Sequence, residues 1–208
     1  GTPQEVAHKG GKKLKKLLRA IRGDFFTDEF GDTADSIDPA KYHPWEACRG
    51  ISQSYGNNWQ DDESNVLTSA EFISMFADTV ARGGNLLLLV NLDGQGAIPE
   101  IQKKRLLDIG QWLSKYGRAI YATRIVAPFA TDEIAYTRSK DGKRAFAIVK
   151  KPSAAMKLAL APKDGSKIVE IATGEKIEWR KTDGGAAIAL PEKLANAKLP
   201  FALEIELK

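Results

Sequence analysis

Cysteine and histidine are almost missing from these 208 residues. Cys48 is the sole cysteine, which excludes an internal disulfide framework and a cysteine-built zinc site. His8 and His43 are the only histidines and lie far apart in the chain. A histidine-built metal centre is therefore not expected, and a thiol nucleophile at Cys48 has only His43 as a nearby base. No apolar run approaches about 18 residues, so these residues encode no transmembrane helix. The opening GTPQEVAHKGGKK has no apolar core and cannot serve as a secretory leader. A leader removed before residue 1 would leave no trace, so the compartment stays open. Charge of one sign is also scarce: 31 Lys and Arg stand against 27 Asp and Glu, a net +4 spread through mixed-sign sequence.

What is present is ordinary globular composition, 43% apolar and 28% charged. The one dense basic run is KGGKKLKKLLRAIR, where Leu14, Leu17, Leu18 and Ile21 recur at helical spacing and leave Lys12, Lys13, Lys15 and Lys16 opposite. A nucleic-acid or membrane patch would look like this, but no aromatic or repeated element accompanies it. The solvated face of an amphipathic helix over residues 4–21, interrupted at Gly10 and Gly11, is the expectation. Neither nucleic acid nor a membrane is expected as a partner.

Residues 22–66 show no sustained period and read as mostly loop, aromatic and acidic. A stretch that long is functional or disordered, and its tryptophans and phenylalanines argue for order. A cleaner unit follows. Thr68 and Glu71 have capping-box spacing before the helical stripe Phe72, Met75, Phe76, Thr79 and Val80, and Gly83 suits a left-handed stop. NLLLLV (85–90) is an apolar run of strand length, expected to be buried on both faces of a parallel sheet. After the loop NLDGQGA, in which Asp93 reads as a turn residue, Pro99 opens a helix carrying Gln102, Leu106, Ile109, Leu113 and Tyr116 to Gly117. Helix, buried strand, loop and helix make one α/β repeat.

From about residue 125 the period shortens to two. A hairpin is expected around Asp141-Gly142, with further strands near 157–161, 167–171, 176–180, 186–190 and the C-terminus. Such spacing indicates an antiparallel β-sandwich. The expected fold is α/β plus all-β, with a domain limit between residues 126 and 127 where Pro128 interrupts the pattern. A full eight-fold barrel takes roughly 250 residues, so residues 1–126 correspond to part of one.

The segment SAEFISMFADTVARGGNLLLLVNLDGQGAIPEIQKKRLLDIGQWLSKYGRAIYATR resembles the end of the catalytic barrel of family 29 α-L-fucosidases. Helix, RGGNLLL strand, DG loop, IPE helix and AIY-x-TR exit occur in the family's order. HPWEACRGISQSYGNN resembles its WE…S-[WF]-G-Y-N loop, and RGDFFTDEF its GDF-x-T-x-E segment. The family's C-terminal domain is likewise a β-sandwich. The resemblance therefore implies the C-terminal portion of a (β/α)8-like barrel followed by that sandwich. It implies an exo-acting retaining glycosidase that releases terminal α-L-fucose from glycans by double displacement, with no cofactor and no metal.

Within that resemblance Glu29 corresponds to the general acid/base and Tyr55 to an aromatic against the C6 methyl of the sugar. A retaining glycosidase uses two carboxyl groups about 5–5.5 Å apart, one as nucleophile and one as acid then base. The acid must be held protonated, for which Phe25, Phe26 and Phe30 around Glu29 offer an apolar setting. Asp24, Asp28 and Asp32 read as loop-capping residues. Glu46 competes for the acid role, and it and Trp45 are secondary substrate contacts. For Glu46 an ion pair or hydrogen bond is the first expectation; Trp45 and Trp59 could stack on a sugar face but read first as buried loop anchors, and Trp112 and Trp179 read as core. Asn57, Leu89, Asn91 and Leu92 depart from the family's commoner residues and put substrate preference, not chemistry, in question.

The family's nucleophilic aspartate lies in a W-x-D-G context that does not occur here. Residues 1–21 resemble the helix after that strand, and a strand with its loop is expected to be missing near residues 21–23. The competing expectation is a non-catalytic carbohydrate-binding or structural fragment. The family's bacterial and lysosomal members imply a bacterial, periplasmic or secreted protein acting on fucosylated oligosaccharides or glycoconjugates. Homo-oligomerisation and glycosidic linkage are left open.

Overall fold

The structure, a computed structural model, describes residues 26–29, 44–52 and 55–207. The expected N-terminal helix, the junction at residues 21–23, Asp24, Phe25, Phe30, Asp32 and both histidines lie outside the described residues.

Three short strands, β1 (Phe26–Glu29), β2 (Trp45–Gly50) and β3 (Gly84–Leu89), form a parallel sheet in chain order. Two of these strands, β1 and β2, fall in the stretch 22–66 that reads as mostly loop, and no sequence pattern marks either one. WEACRG escapes detection because its inward positions are Trp45 and the small Ala47, without a β-branched run. Helix α1 (Ser69–Ala81) makes the crossover between β2 and β3. The capping box starts it: the Glu71 N–H donates to the Thr68 hydroxyl at 3.2 Å, and the Thr68 N–H donates to the Glu71 carboxylate at 2.9 Å. Gly83, at φ +81°, ends it in a conformation that costs glycine no Cβ clash. The buried stripe Phe72, Ile73, Ala77 and Ala81 packs against Leu86 and Leu88 of β3. Leu87, one residue over, is 48% exposed. The strand expected to be covered on both faces is covered on one among the described residues. Helix α2 (Glu100–Tyr116) follows Pro99 and buries Ile109 and Trp112 in the same cluster.

A 3-10 turn, Gly117–Ala119, leads into an eight-stranded antiparallel sheet. Its strands are β4 (Thr123–Ala130), β5 (Ile134–Ser139), β6 (Arg144–Val149), β7 (Ala155–Leu158), β8 (Ile168–Glu170), β9 (Lys176–Thr182), β10 (Gly185–Ala189) and β11 (Phe201–Glu206). A short helix, α3 (Glu192–Ala195), precedes β11. The spatial order β4-β5-β6-β11-β8-β9-β10-β7 lets the sheet curl over one core that joins β5, β6 and β11 to β7, β8, β9 and β10. Period-two alternation divides the two sides cleanly. Ile134 and Tyr136, Ala145, Ala147 and Val149, and Phe201, Leu203 and Ile205 fill that core. Ala135, Phe146, Ile148 and Ala202 point the other way, into the cluster built on α1 and α2. AFAIV (145–149) and FAL (201–203) are thus unbroken apolar runs because both of their faces are covered.

The expected domain limit falls inside β4. Pro128 coincides with a break in its pairing, which runs from Thr123 to Ile125 and resumes only at Ala130; proline brings no N–H to a ladder. Polar contacts tie the helical part to the sandwich as well. The Trp112 indole N–H donates to the Pro200 carbonyl at 2.6 Å, the Thr137 hydroxyl donates to the Ala119 carbonyl at 2.7 Å, and Lys150 meets both Asp78 oxygens at 2.7 Å.

Candidate functional site

Parallel strands end on one side, so Glu29, Gly50 and Leu89 close the same edge of the three-stranded sheet. In barrel enzymes that C-terminal edge carries the chemistry. Pairing aligns Glu29 with Cys48, and Cys48 with Leu87, in one row. Thr27, Glu46 and Asn85 form another row. At about 3.3 Å per residue, that row lies roughly 7 Å deeper in the sheet. Glu29 therefore stands nearer the edge than Glu46, which is half-buried in mid-strand.

Tyr55 reaches the same row. Its hydroxyl donates to the Cys48 carbonyl at 2.7 Å, which draws the loop after β2 back over the strand end and leaves the ring half-buried. Glu29 and Tyr55, which stand 26 residues apart in number, thus share Cys48 as their common neighbour. Trp45 does not join them. It is completely buried, its indole N–H donates to the Arg82 carbonyl at 3.2 Å, and its ring lies against Gly84. A ring with no free face cannot stack on a sugar, so Trp45 is corrected from substrate contact to core anchor. Trp59 errs in the opposite direction: expected as a buried anchor, it is 86% exposed.

The loop that carries Trp59 is held by polar residues that sequence reasoning did not single out for the site. Asn91, just past β3, donates its side-chain amide to the Gly56 carbonyl at 2.8 Å. Its own N–H donates to the Gln102 side-chain oxygen at 3.0 Å. The Gln102 amide nitrogen extends to Asp61 at 3.4 Å, and Asp61 accepts from the Asn58 amide at 3.0 Å. Arg105 of α2 donates to the Leu67 carbonyl at 2.9 Å and pairs with Glu63. The signal for Gln102 was available: an amide in the apolar stripe of a helix must find partners when buried. Asp62 is held below the usual carboxylate range by the hydroxyl and N–H of Ser64, which fixes the turn there. Asp93 does what a turn aspartate does, accepting from the N–H groups of Gln95 and Ala97, each at 2.9 Å.

Among the described residues, no group of three His, Cys, Asp or Glu is placed to hold a metal ion. A separate cavity of about 630 Å³ in the sandwich, lined by Lys157, Trp179 and Arg180, shares no residue with the strand-end edge.

Comparison with known proteins points to one family. The sequence profile described as Alpha-L-fucosidase matches residues 11–118, more than half of the chain. The plasma alpha-L-fucosidase of Rattus norvegicus is 31% identical over 167 residues, 76% of this chain and 36% of the relative. The alpha-L-fucosidase of Dictyostelium discoideum is 39% identical over 107 residues, 50% of this chain and 22% of the relative. The Thermotoga maritima alpha-fucosidase in complex with a mechanism-based inhibitor superposes with a TM-score of 0.74 at 29% identity, covering 89% of this chain and 43% of that one. The chain thus spans less than half the length of these relatives, over part of the barrel and the β-sandwich. By profile, by sequence and by structure, the chain belongs to the alpha-L-fucosidase family.

Proposed function

We propose that the protein is an α-L-fucosidase, an exo-acting retaining glycoside hydrolase that releases terminal α-L-fucose from fucosylated oligosaccharides or glycoconjugates. Glu29 is its general acid/base. It protonates the departing glycosidic oxygen in the first displacement and takes a proton from water in the second. The nucleophilic carboxylate, an aspartate in the family's pattern, comes from a barrel strand not contained in these 208 residues. Tyr55 closes the sugar site with its ring while its hydroxyl stays on the Cys48 carbonyl.

The observation that carries this reading is the strand-end row itself: Glu29 closes β1 beside Cys48, the residue to which Tyr55 is bonded. The family's location outside the cytoplasm is the reading for compartment, periplasmic or secreted, and cell fractionation tests it.

The decisive experiment follows hydrolysis of an α-L-fucoside by the full-length protein in an NMR tube. Retention gives the α-anomer of fucose first, with the β-anomer growing in by mutarotation; β first overturns double displacement. Glu29→Gln is expected to lose about 10²–10⁴-fold in rate on a fucosyl disaccharide. Its loss on an aryl fucoside, whose leaving group needs little protonation, is smaller. An undiminished disaccharide rate in Glu29→Gln removes Glu29 from the acid role.

A further inference from the structure

Trp59 is the one tryptophan of four that the fold leaves in solvent. Trp45 and Trp112 are buried, and Trp179 packs against the sandwich core. An indole is the largest apolar side chain, and leaving 86% of it exposed forgoes the burial that would stabilise the fold.

The backbone around Trp59 is not loose. Asn58, immediately before it, accepts the Gln60 N–H at 3.1 Å on its side-chain oxygen and donates its amide to Asp61 at 3.0 Å. The Asp61 N–H returns to the Asn58 carbonyl at 3.0 Å, closing a turn around Trp59. The Asn65 amide donates to the Gln60 carbonyl at 3.3 Å, on the other side. Gln102 and Asn91 then tie this turn and Gly56 to the end of β3. The polar side chains around Trp59 are spent on holding its position, and its ring is left over. The loop that carries it starts at Tyr55 and Gly56, which are bonded to Cys48, the register partner of Glu29, and to Asn91 just past β3.

We infer that Trp59 is the platform for the leaving-group sugar, the pyranose to which fucose is attached. This rests on the fucosidase reading above and extends it from the fucose to the aglycone. A pyranose has one face of C–H groups and a rim of hydroxyls. A rigid, exposed indole matches the first and leaves the second to water, and it loses little side-chain freedom on binding. Trp59 acts on which glycan is cleaved rather than on the bond-breaking step.

Two measurements on the full-length protein test this. The first compares kcat/KM for a fucosyl disaccharide with that for an aryl α-L-fucoside, in the parent, Trp59→Ala and Trp59→Phe. Trp59→Ala is expected to lower the disaccharide-to-aryl ratio about tenfold or more, with part of it recovered in Trp59→Phe. Leu107→Ala, which removes an exposed apolar side chain from α2, leaves the ratio unchanged. A ratio within twofold of the parent in Trp59→Ala overturns the inference. The second titrates tryptophan fluorescence of the Glu29→Gln protein with fucose, with the disaccharide and with the leaving-group sugar alone. A change with the last two that is lost in Trp59→Ala supports the platform. Absence of such a change, or an indole already shielded from acrylamide before sugar is added, overturns it. If the parent cleaves neither substrate, the fucosidase reading fails on its own, and the fluorescence titration decides the platform.

Discussion

The indole of Trp45 lies so close to Gly84 that a Cβ there would overlap the ring. The two residues are register partners on β2 and β3, and the Trp45 N–H caps the Arg82 carbonyl two residues before Gly84. This explains RGG physically: Gly83 turns the chain out of α1, and Gly84 makes room for the ring. Gly84→Ala should therefore destabilise the fold by about 1–3 kcal/mol through overpacking, read as a lower midpoint in denaturant. Replacing Trp45 by Phe in the Gly84→Ala background should recover part of the loss, since the smaller ring leaves space. An unaltered midpoint in Gly84→Ala would mean that the ring can move aside.

Tyr55 separates into two functions that substitution can resolve. Its hydroxyl holds the loop to the carbonyl of Cys48, the register partner of Glu29, and its ring is the apolar surface proposed for the sugar. Tyr55→Phe deletes one hydrogen bond, worth about 1 kcal/mol, and should raise KM for an aryl α-L-fucoside modestly with little change in kcat. Tyr55→Ala deletes the apolar surface as well and should raise KM by at least a further tenfold, roughly the value of a lost apolar contact. Steady-state kinetics on the two variants checks this, and equal kinetics in Phe and Ala would assign Tyr55 a loop-holding role alone.

Much of the fold was legible in the sequence, for reasons that differ by element. Thr68-x-x-Glu71 announces α1 because a capping box satisfies two orphan N–H groups with adjacent residues. The sandwich shows itself in period two and in the Asp141-Gly142 turn, both local signals. β1 and β2 were not legible by pattern, because FTDE and WEACRG hold few apolar residues and no β-branched run, and both are held by neighbours distant in sequence. The same limit applies to the site. The motif resemblance singled out Glu29 and Tyr55, yet only pairing reveals that Cys48 joins them. Trp45 and Trp59 look alike as loop tryptophans fourteen positions apart. The first packs against Gly84 and is buried while the second is exposed, which no local property of either residue encodes.

Gln102 is the keystone between the loop and the barrel helix, since its oxygen takes the Asn91 N–H and its nitrogen faces Asp61 while the residue is 1% exposed. Gln102→Leu fills the same space but leaves the Asn91 N–H buried without its acceptor, a cost of about 1–3 kcal/mol. Gln102→Glu keeps the acceptor but sets a carboxylate toward Asp61, so it should be destabilised most above the carboxylate range and recover as the pH falls. Thermal unfolding of both variants across pH 4–8 checks the contrast. Identical, pH-independent losses would show that shape and not the hydrogen bond matters at this position.

Glu170 and Tyr116 couple the sandwich to α2 in a way that gives stability two pH limits. Burial alone would push the Glu170 carboxyl up, but the Thr173 hydroxyl, the Tyr116 hydroxyl and the N–H groups of Ala172 and Thr173 outweigh it and hold it below the usual glutamate value. Burial, with the bond and charge of Glu170 added, pushes the Tyr116 phenol well above its usual range. As pH falls below the usual glutamate value, the unfolded chain takes up its proton before the folded one does. The Glu170 contribution is then lost as the pH passes down through its depressed folded value. For Tyr116 the neutral phenol is the favoured folded form. Its contribution is complete below the usual tyrosine value, near 10, and is lost as the pH rises beyond it. Glu170→Gln should therefore be less stable than the parent at neutral pH and lose less on acidification, so that the two curves converge at low pH. Tyr116→Phe should remove part of the alkaline decline instead. Chemical unfolding across the pH range, read as parent-minus-variant differences, tests both; a Glu170→Gln difference that is constant with pH would mean that the carboxylate charge is not what these donors hold.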